Sequence, residues 1–179
     1  MRVIGGEYRS RPLKSVPGLD VRPTPDRLRE ALFNILAPSI QGVVFADVYA
    51  GTGAVGIEAL SRGARQAVFI ESARAPVTAI RANLKALGLE HRALVLQARA
   101  LTALPGVQAD LFFVDPPYRL ANQYDAVLQH LGSRGAATIV QHDIRQKLQE
   151  SYAKLSRVRV LTQGDNCLSF YESRSDENQ

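Results

Sequence analysis

The chain has 179 residues, 46% of them hydrophobic and 22% charged, and a formal net charge of +5 at pH 7. This composition indicates one soluble globular domain and argues against disorder, and a chain of this length can fold without disulfides or metal. One cysteine and three scattered histidines exclude a disulfide framework and a cysteine-based zinc site, and no apolar run approaches the ~20 residues that a membrane helix needs.

Compartment and partner class follow from the N-terminus and the charge. The N-terminus has no hydrophobic block of signal-peptide length, so we expect a cytoplasmic protein, bound to no membrane. The positive charge favours a polyanionic partner, although an excess of arginine can also serve solubility alone. The distribution of the charge separates these two interpretations better than its total does.

The first predicted element is a basic extension, residues 1–22, with five basic side chains against two acidic ones. Gly5 and Gly6 favour a hairpin turn between short strands at residues 2–4 and 8–9. An aromatic ring among cations suits single-stranded RNA, whereas the alternative is a solvated arm. We predict RNA contact by Arg2, Tyr8, Arg9, Arg11, Lys14 and Arg22.

A helix is predicted within residues 23–37. Thr24 is a good N-cap, Pro25 suits the first helical position, and Asp26 favours the positive helix end. Apolar residues recur at helical spacing from residue 28 to residue 36. The opposite, polar face is expected to carry Arg27, Arg29 and Glu30.

The central stretch is residues 43–63, which reads as a buried strand, a glycine turn and a helix. Gly51 and Gly53 let the backbone turn tightly and leave room for a ligand against bare main chain. A strand that feeds a helix through such a turn is the nucleotide-cofactor corner of a doubly wound sheet. With Gly56, these glycines also satisfy the G-x-G-x-x-G pattern, which is a weak signal by itself.

The acid before the glycines narrows the cofactor class. Asp47 stands at the predicted strand end, four residues before Gly51. A carboxylate there would repel the pyrophosphate of a dinucleotide, which seats on the helix N-terminus. It would suit a cofactor with a cationic amine, and S-adenosylmethionine (AdoMet) is such a cofactor. The alternative is a strand, turn and helix with no ligand.

The rest of the chain alternates strand and helix. Strands are predicted at residues 67–70, 93–96, 110–114 and 136–140, helices at 76–87, 124–131 and 144–150, and a closing hairpin at 158–161 and 167–171. Cys167 is expected in the core, and residues 173–179 form a polar tail. This order predicts an α/β domain over residues 23–172, with a seven-stranded, mostly parallel sheet between helices and a C-terminal antiparallel hairpin.

Three acids stand at predicted carboxyl ends of strands: Asp47, Glu71 and Asp115. Ligands of a doubly wound sheet bind beyond those ends, so we expect the three acids to converge on one site. Glu71 follows Gly51 by 20 residues, which is where a carboxylate accepts hydrogen bonds from ribose hydroxyls. An exposed glutamate at a strand end is the alternative.

The second key stretch is Asp115, Pro116, Pro117 and Tyr118. Two successive prolines stiffen the segment and hold the Asp115 carboxylate and the Pro116 carbonyl in a fixed relation. These two acceptors match the two donors of an exocyclic amine on a nucleobase, and Tyr118 offers a face on which the base can stack. Such a site orients a poor nucleophile for methyl transfer.

The chain resembles the bacterial 16S ribosomal RNA guanine-N2 methyltransferases of the RsmD family along nearly its whole length. The resemblance is carried, in order, by RVIGGEYRSRPL, RPTPDRLREALFNIL, DVYAGTGAVGIEALSRGA, VDPPY and GDNCLSFYE. It implies a Rossmann-like class I AdoMet-dependent enzyme that yields S-adenosylhomocysteine. The implied substrate is one guanine of 16S rRNA in the small ribosomal subunit or its assembly intermediate, and we expect a monomer.

The resemblance also assigns residues. It implies that the cofactor is held by Thr24, Asp47, Tyr49, Gly51, Gly53, Glu71 and Ala100, and that the base is held by the Asp-Pro-Pro-Tyr segment, which we take as catalytic. The chain departs from the family pattern at Arg99, where an Asp or Asn would contact the adenine amine, and at Gln141, where a Glu is common. Ser10 replaces a common glycine.

Three other functions are weighed against this one. A DNA adenine or cytosine amino-methyltransferase usually carries an added target-recognition domain, for which this length leaves no room. A nicotinamide dehydrogenase conflicts with Asp47 and with the proline segment. A non-catalytic RNA-binding ribosome-assembly factor is suggested only by Arg99.

Overall fold

The computed structural model describes residues 1–18 and 24–174, and its centre is an eight-stranded sheet in the order β3-β2-β1-β4-β5-β8-β7-β6. The strands are β1 Val44–Val48, β2 Gln66–Glu71, β3 Ala93–Gln97, β4 Leu111–Val114, β5 Thr138–Asp143, β6 Ser151–Tyr152, β7 Leu155–Gln163 and β8 Asn166–Ser173. Strands β1 to β5 are mutually parallel, and β8, β7 and β6 continue the sheet in antiparallel pairing. The strand order reverses between β1 and β4, which is where such sheets bind ligands.

Helices cover both faces of the sheet. They are α1 Asp26–Leu36, α2 Ala54–Ser61, α3 Arg74–Leu87, α4 Ala100–Ala103 and α5 Tyr124–Ser133, with short 3-10 helices at Glu90–Arg92, Leu104–Gly106 and Tyr118–Gln123. Alternate strand residues face opposite layers: Ala46 and Phe112 pack with α4 and α5, whereas Phe45 and Phe113 pack with α1 and α2. The α/β class and the closing hairpin are therefore confirmed.

A close helix–strand contact explains one glycine of the motif. Gly56 lies in α2 against β2, where an added Cβ would come within 2.3 Å of the Phe69 ring. Asp47 at the end of β1 accepts a hydrogen bond from the Gly56 N–H at 2.9 Å. The start of α2 is thus held directly over the ends of the first two strands, and this contact brings the glycine turn to the edge of the sheet.

Two predicted elements at the C-terminal side are wrong. The sheet has eight strands and not seven, because the short β6 adds to the edge of β7. The helix predicted at residues 144–150 is absent, and the segment forms a turn and irregular chain. Its N–H groups have other partners: the Asp143 carboxylate accepts from the N–H of Arg145 at 2.9 Å, and the hydroxyl of Tyr152 accepts from the N–H of Gln149 at 3.0 Å.

The N-terminal extension folds back on itself with a different register from the predicted hairpin. Arg2 pairs with Pro12 in an isolated bridge, so the returning segment is residues 11–13 and not residues 8–9. Gly6 has φ +77 and lies against α2, where a Cβ would clash with the Ser61 carbonyl. The two glycines are needed for this close approach. Arg22 lies outside the described residues.

A buried carboxylate anchors this extension, which we call the N-terminal arm (residues 1–16). Glu58 of α2 is fully buried and accepts the N–H groups of Ile4 and Gly5, each at 2.8 Å. It also pairs with Arg62 at 2.8 Å and lies 3.8 Å from Arg29. Arg29 was expected on a polar outer face but is itself fully buried, because this carboxylate and the arm cover it.

Candidate active site

A cavity of about 510 Å³ opens at the carboxyl edge of the parallel strands, beside the point where β1 and β4 are neighbours. Most of the sequence-predicted site residues line it: Thr24, Asp47, Tyr49, Gly51, Glu71, Asp115, Pro116, Pro117 and Tyr118. The edge therefore brings together residues that are up to 94 positions apart in the chain, from Thr24 to Tyr118. Its volume falls within the range of ordinary small-molecule pockets.

Some predicted residues lie elsewhere. Gly53 caps α2 with φ +83, and a Cβ there would press on Ile80 and Phe69, so this glycine serves the turn and the packing. Ala100 is buried at the start of α4 and does not line the cavity. Arg99, just before it, is exposed and also lies outside the lining.

Asp47 is the most unusual acid of the site. Its side chain is buried, and burial raises the pKa of this carboxyl to about 8, against the opposing effect of the Gly56 N–H. The nearby carboxylates of Asp115 and Glu71 raise the pKa further. The described residues include no Lys or Arg in a salt bridge with Asp47. The site thus has an excess of negative charge that a cationic ligand would relieve.

Glu71 connects the glycine turn with the start of α3. One carboxylate oxygen accepts the N–H of Gly51 at 3.0 Å, and the other accepts the N–H of Ala73 at 2.9 Å. Each oxygen keeps a second lone pair that can accept a hydrogen bond from a ligand. The carboxylate is therefore held in place and still able to bind hydroxyl groups.

Tyr49 occupies the first position after β1 in a left-handed backbone conformation, with φ +63. Its hydroxyl donates to Oε1 of Gln123 at 2.5 Å, across 74 residues of sequence. Gln123 ends the 3-10 helix that follows the Asp-Pro-Pro-Tyr segment. This hydrogen bond therefore joins the wall of the glycine turn to the wall of the proline segment.

The proline segment leaves β4 beside the end of β1. The N–H of Asp115 donates to the carbonyl of Val48 at 3.4 Å, and the N–H of Leu120 donates to the carbonyl of Pro117 at 2.7 Å. The side chain of Tyr118 is 60% exposed, which is unusual for a tyrosine in a cavity wall. This exposed aromatic ring is part of the cavity wall.

The far wall, formed by β5 and the β7–β8 hairpin, was not found as a unit from the sequence. It contributes Gln141, His142, Asp143, Gln146 and Asn166. Only the first two had been noticed, as a departure from a pattern. No local motif marks Asp143 or Gln146, whereas Asn166 lies within the GDNCLSFYE stretch and reaches the cavity through the antiparallel pairing of β8 with β5.

The histidine of this wall is engaged in the fold. Its Nδ1–H donates to the carbonyl of Asp143 at 2.9 Å, and its Nε2 lies 2.8 Å from the hydroxyl of Ser169. Burial lowers the pKa of His142, so the ring is neutral and Nε2 accepts from Ser169. Both nitrogens are therefore occupied, and His142 is not a free base.

Hydrogen bonds also hold Thr24 and Tyr124 against this wall. The hydroxyl of Thr24, predicted as an N-cap, donates to Oε1 of Gln141 at 3.0 Å, and α1 instead begins at Asp26 with Pro25 at its N-cap. The hydroxyl of Tyr124 donates to the carbonyl of Gln141 at 2.8 Å. Burial raises the pKa of Tyr124 above its usual range, so it remains a donor.

The described residues contain neither a cluster of metal-ligand side chains nor a helix of membrane-spanning character. No group of three or more His, Cys, Asp or Glu side chains there could hold a metal ion. No helix in the same part of the chain has the length and apolar character to cross a membrane.

The family described as Conserved hypothetical protein 95 matches residues 1–172. YlbH of Bacillus subtilis (strain 168) is 32% identical over 188 residues, covering 97% of this chain and 100% of that protein. Ribosomal RNA small subunit methyltransferase D of Escherichia coli (strain K12) is 44% identical over 122 residues, covering 66% of this chain and 61% of that protein.

Solved structures agree on the fold. The yhhF protein from Escherichia coli superposes with a TM-score of 0.86 at 32% sequence identity, covering 98% of this chain and 99% of that one. The match extends over the N-terminal arm, the sheet and the closing hairpin, because so little of either chain is left out.

Proposed function

This chain belongs to the Conserved hypothetical protein 95 family of rRNA methyltransferases, and we propose that it transfers the methyl group of AdoMet to the exocyclic N2 amine of one guanine in 16S rRNA. The amine nitrogen forms a bond to the methyl carbon as the bond from that carbon to sulfur breaks, and the products would be N2-methylguanosine, S-adenosylhomocysteine and one proton lost from the nitrogen. The relative from Escherichia coli, named for the small subunit, supports this substrate class.

A single observation carries the proposal. A carboxylate pair next to a glycine turn, Asp47 and Glu71, shares one cavity with the Asp-Pro-Pro-Tyr segment. The two carboxylates suit a cationic, ribose-bearing cofactor, and the Asp-Pro-Pro-Tyr segment suits a planar amine. A cavity that takes both at once favours a group transfer between them.

The residues present fit AdoMet. Asp47 is buried without a basic partner in any described salt bridge, and the amine of AdoMet would supply that positive charge. Glu71 is fixed by two backbone N–H groups and retains acceptor capacity for ribose hydroxyls. When bound, AdoMet supplies an electrophilic methyl group on a cationic sulfur.

The proline segment would prepare the nucleophile. The carboxylate of Asp115 and the carbonyl of Pro116 accept the two N–H groups of the amine and stabilise the positive charge that develops on its nitrogen. Tyr118 stacks on the base. The lone pair of the amine is delocalised into the ring, so orientation contributes much of the rate, up to ~7–11 kcal/mol in good cases.

Two amides can bind the edge of the base. Gln146 and Asn166 line the far wall, half-buried, and each offers a carbonyl acceptor beside an N–H donor. Such an amide pairs with the N1–H and O6 of guanine and, in the reversed orientation, with the N1 and the amine of adenine. The amine-binding segment alone does not separate the two bases.

The N-terminal arm supports an RNA substrate. Arg2 and Arg9 of the arm and Arg27 of α1 line a second cavity of about 360 Å³, together with Ser10, Asp26 and Glu30. All three arginines are exposed and available to phosphate groups. We place the RNA backbone along this surface while the target base enters the active site. The enzyme would act in the cytoplasm, as a monomer, on the small subunit or its assembly intermediate.

The test is methyl transfer from labelled AdoMet to small ribosomal particles from a strain that lacks this gene, followed by nucleoside analysis. Label in N2-methylguanosine of 16S rRNA supports the proposal. Label in N6-methyladenosine or in DNA would mean that the protein is an amino-methyltransferase with a different base or nucleic acid as its substrate. If the protein neither labels the particles nor binds AdoMet, the result favours the non-catalytic assembly factor.

A further inference from the structure

The contact between Tyr49 and Gln123 combines two unusual features. A bulky residue rarely adopts a left-handed conformation such as the φ of +63 at Tyr49, because its Cβ crowds the following carbonyl. Its hydroxyl also makes a short hydrogen bond, 2.5 Å, to a residue 74 positions away. Strain that persists in a fold concentrates at functional sites, where the surrounding structure over-determines it.

This hydrogen bond lies between the two halves of the active site. Tyr49 follows β1 and precedes Gly51. Its backbone is part of the wall formed by Asp47, Tyr49, Gly51 and Glu71, which we call the cofactor wall. Gln123 closes the 3-10 helix Tyr118–Gln123, so its side chain fixes the far end of the helix that continues from the proline segment. Burial raises the pKa of Tyr49 to about 12, which keeps the hydroxyl protonated and donating at neutral pH.

The connection continues through the next residue. Tyr124 follows Gln123 at the start of α5, and its hydroxyl donates to the carbonyl of Gln141 at 2.8 Å. Gln141 in turn accepts the hydroxyl of Thr24 at 3.0 Å. The end of the 3-10 helix that follows the proline segment is thus bonded to the wall of the glycine turn through Gln123 and to the far wall through Tyr124.

We infer that Tyr49 is a positioning residue for methyl transfer. Through its hydrogen bond to Gln123, Tyr49 sets the proline segment, which holds the base, against the cofactor. The inference rests on the proposed function and deepens it. The hydroxyl touches Gln123 and acts on the reaction only through the position of residues 115–118. Removing it frees one end of that segment while the cofactor wall keeps its aromatic ring.

The expected result is a lower kcat with little change in the Kd for AdoMet. Because a misplacement of ~1 Å can cost ~100-fold, we expect Tyr49→Phe to lower kcat by about tenfold. The Kd for AdoMet should stay within about twofold, since the carboxylates that hold it are unchanged. Gln123→Met removes the same hydrogen bond from the other side and should give a similar loss.

The chain offers a matched control. The hydroxyl of Tyr171 donates to the carbonyl of Gln149 at 2.7 Å, outside the cavity lining. Tyr171→Phe therefore removes a hydrogen bond of the same kind and should lower the thermal midpoint without changing kcat. The double variant of Tyr49→Phe and Gln123→Met should be no slower than either single variant, because both remove one shared interaction.

A second measurement makes the inference independent of the substrate. Hydrogen exchange of the free protein should show faster exchange of amides within residues 118–123 in Tyr49→Phe and in Gln123→Met, and unchanged exchange there in Tyr171→Phe. If Tyr49→Phe matches Tyr171→Phe in both kcat and exchange, the inference is wrong. If the wild-type enzyme does not methylate rRNA, the proposed function fails, and the exchange data still decide whether Tyr49 positions the segment.

Discussion

The side chain of Asn83 holds the backbone of Lys14 on both sides: its Oδ1 accepts the N–H of Lys14 at 2.7 Å, and its Nδ2 donates to the carbonyl of the same residue at 3.1 Å. The same Nδ2 lies 3.2 Å from the carbonyl of Thr52 in the glycine turn. Asn83 is 2% exposed, so water cannot replace these bonds. One amide of α3 therefore connects the N-terminal arm with the cofactor wall.

Asn83→Ala should weaken binding of both ligands. Three part-buried hydrogen bonds are lost, which costs about 1 kcal/mol each in stability. The arm and the turn should then move independently, so that RNA affinity and AdoMet affinity both fall. Titrations of each ligand and urea unfolding measure this. Asn34→Ala, at an exposed position of α1, is the control and should change neither affinity; a loss of stability alone in Asn83→Ala would contradict the coupling.

Asp47→Asn should change stability in a pH-dependent way. Burial raises the pKa of Asp47 from an ordinary 3.8 to about 8. A carboxyl with a raised folded pKa contributes fully to stability below its unfolded pKa, and this contribution is lost as pH rises toward 8. Asparagine does not ionise, so the variant should gain thermal stability relative to wild type between about pH 4 and pH 8.

Thermal unfolding across that pH range, without ligand, checks the Asp47 prediction. Asp165→Asn, in the exposed turn before β8, should show no such trend. A constant difference between Asp47→Asn and wild type at every pH would mean that Asp47 is ionised throughout. AdoMet binding should be weaker in Asp47→Asn, because the variant offers no negative charge to the amine.

Asp115→Ala should abolish methyl transfer while AdoMet binding stays within roughly tenfold, because the carboxylate holds the base and not the cofactor. Single-turnover assays and cofactor titration separate the two effects. Turnover near the wild-type rate would show that the proline segment does not hold the amine through this side chain.

Ser10→Gly should stabilise the protein. Ser10 has φ +68, and this left-handed conformation costs a non-glycine residue about 1–2 kcal/mol of stability. Glycine would adopt this conformation without the steric cost of a Cβ, but its greater flexibility in the unfolded chain offsets roughly half of the gain. Chemical denaturation should show a gain for Ser10→Gly and none for Ser10→Ala, which keeps the Cβ.

The cofactor corner could be predicted because its signals are local. The apolar run of β1, the glycines and Asp47 are contiguous, and the carboxyl ends of parallel strands meet at one edge whatever the rest of the chain does. The sequence therefore predicts that Asp47, Glu71 and Asp115 lie together, and all three line one cavity in the structure.

Features that depend on distant partners could not be predicted. Arg29 follows a polar helical pattern, and only Glu58 on another helix and the returning arm explain its burial. Thr24 has the chemistry of a cap, but Gln141 competes for its hydroxyl. Asn166 reaches the cavity because β8 runs antiparallel to β5, and the register of that pairing is set by the whole sheet.

The reversed direction of β8 has a consequence for how this enzyme can change over evolutionary time. The hairpin turn at residues 164–165 lies next to Asn166 at the cavity, whereas the parallel strands reach the same edge with their carboxyl ends. Surface loops tolerate insertions better than the strands and helices that they connect. The far wall can therefore be lengthened by mutation, whereas the wall of the glycine turn is packed through Gly53 and Gly56 against the Phe69 ring. New substrates would be acquired at the hairpin, with the methyl donor kept.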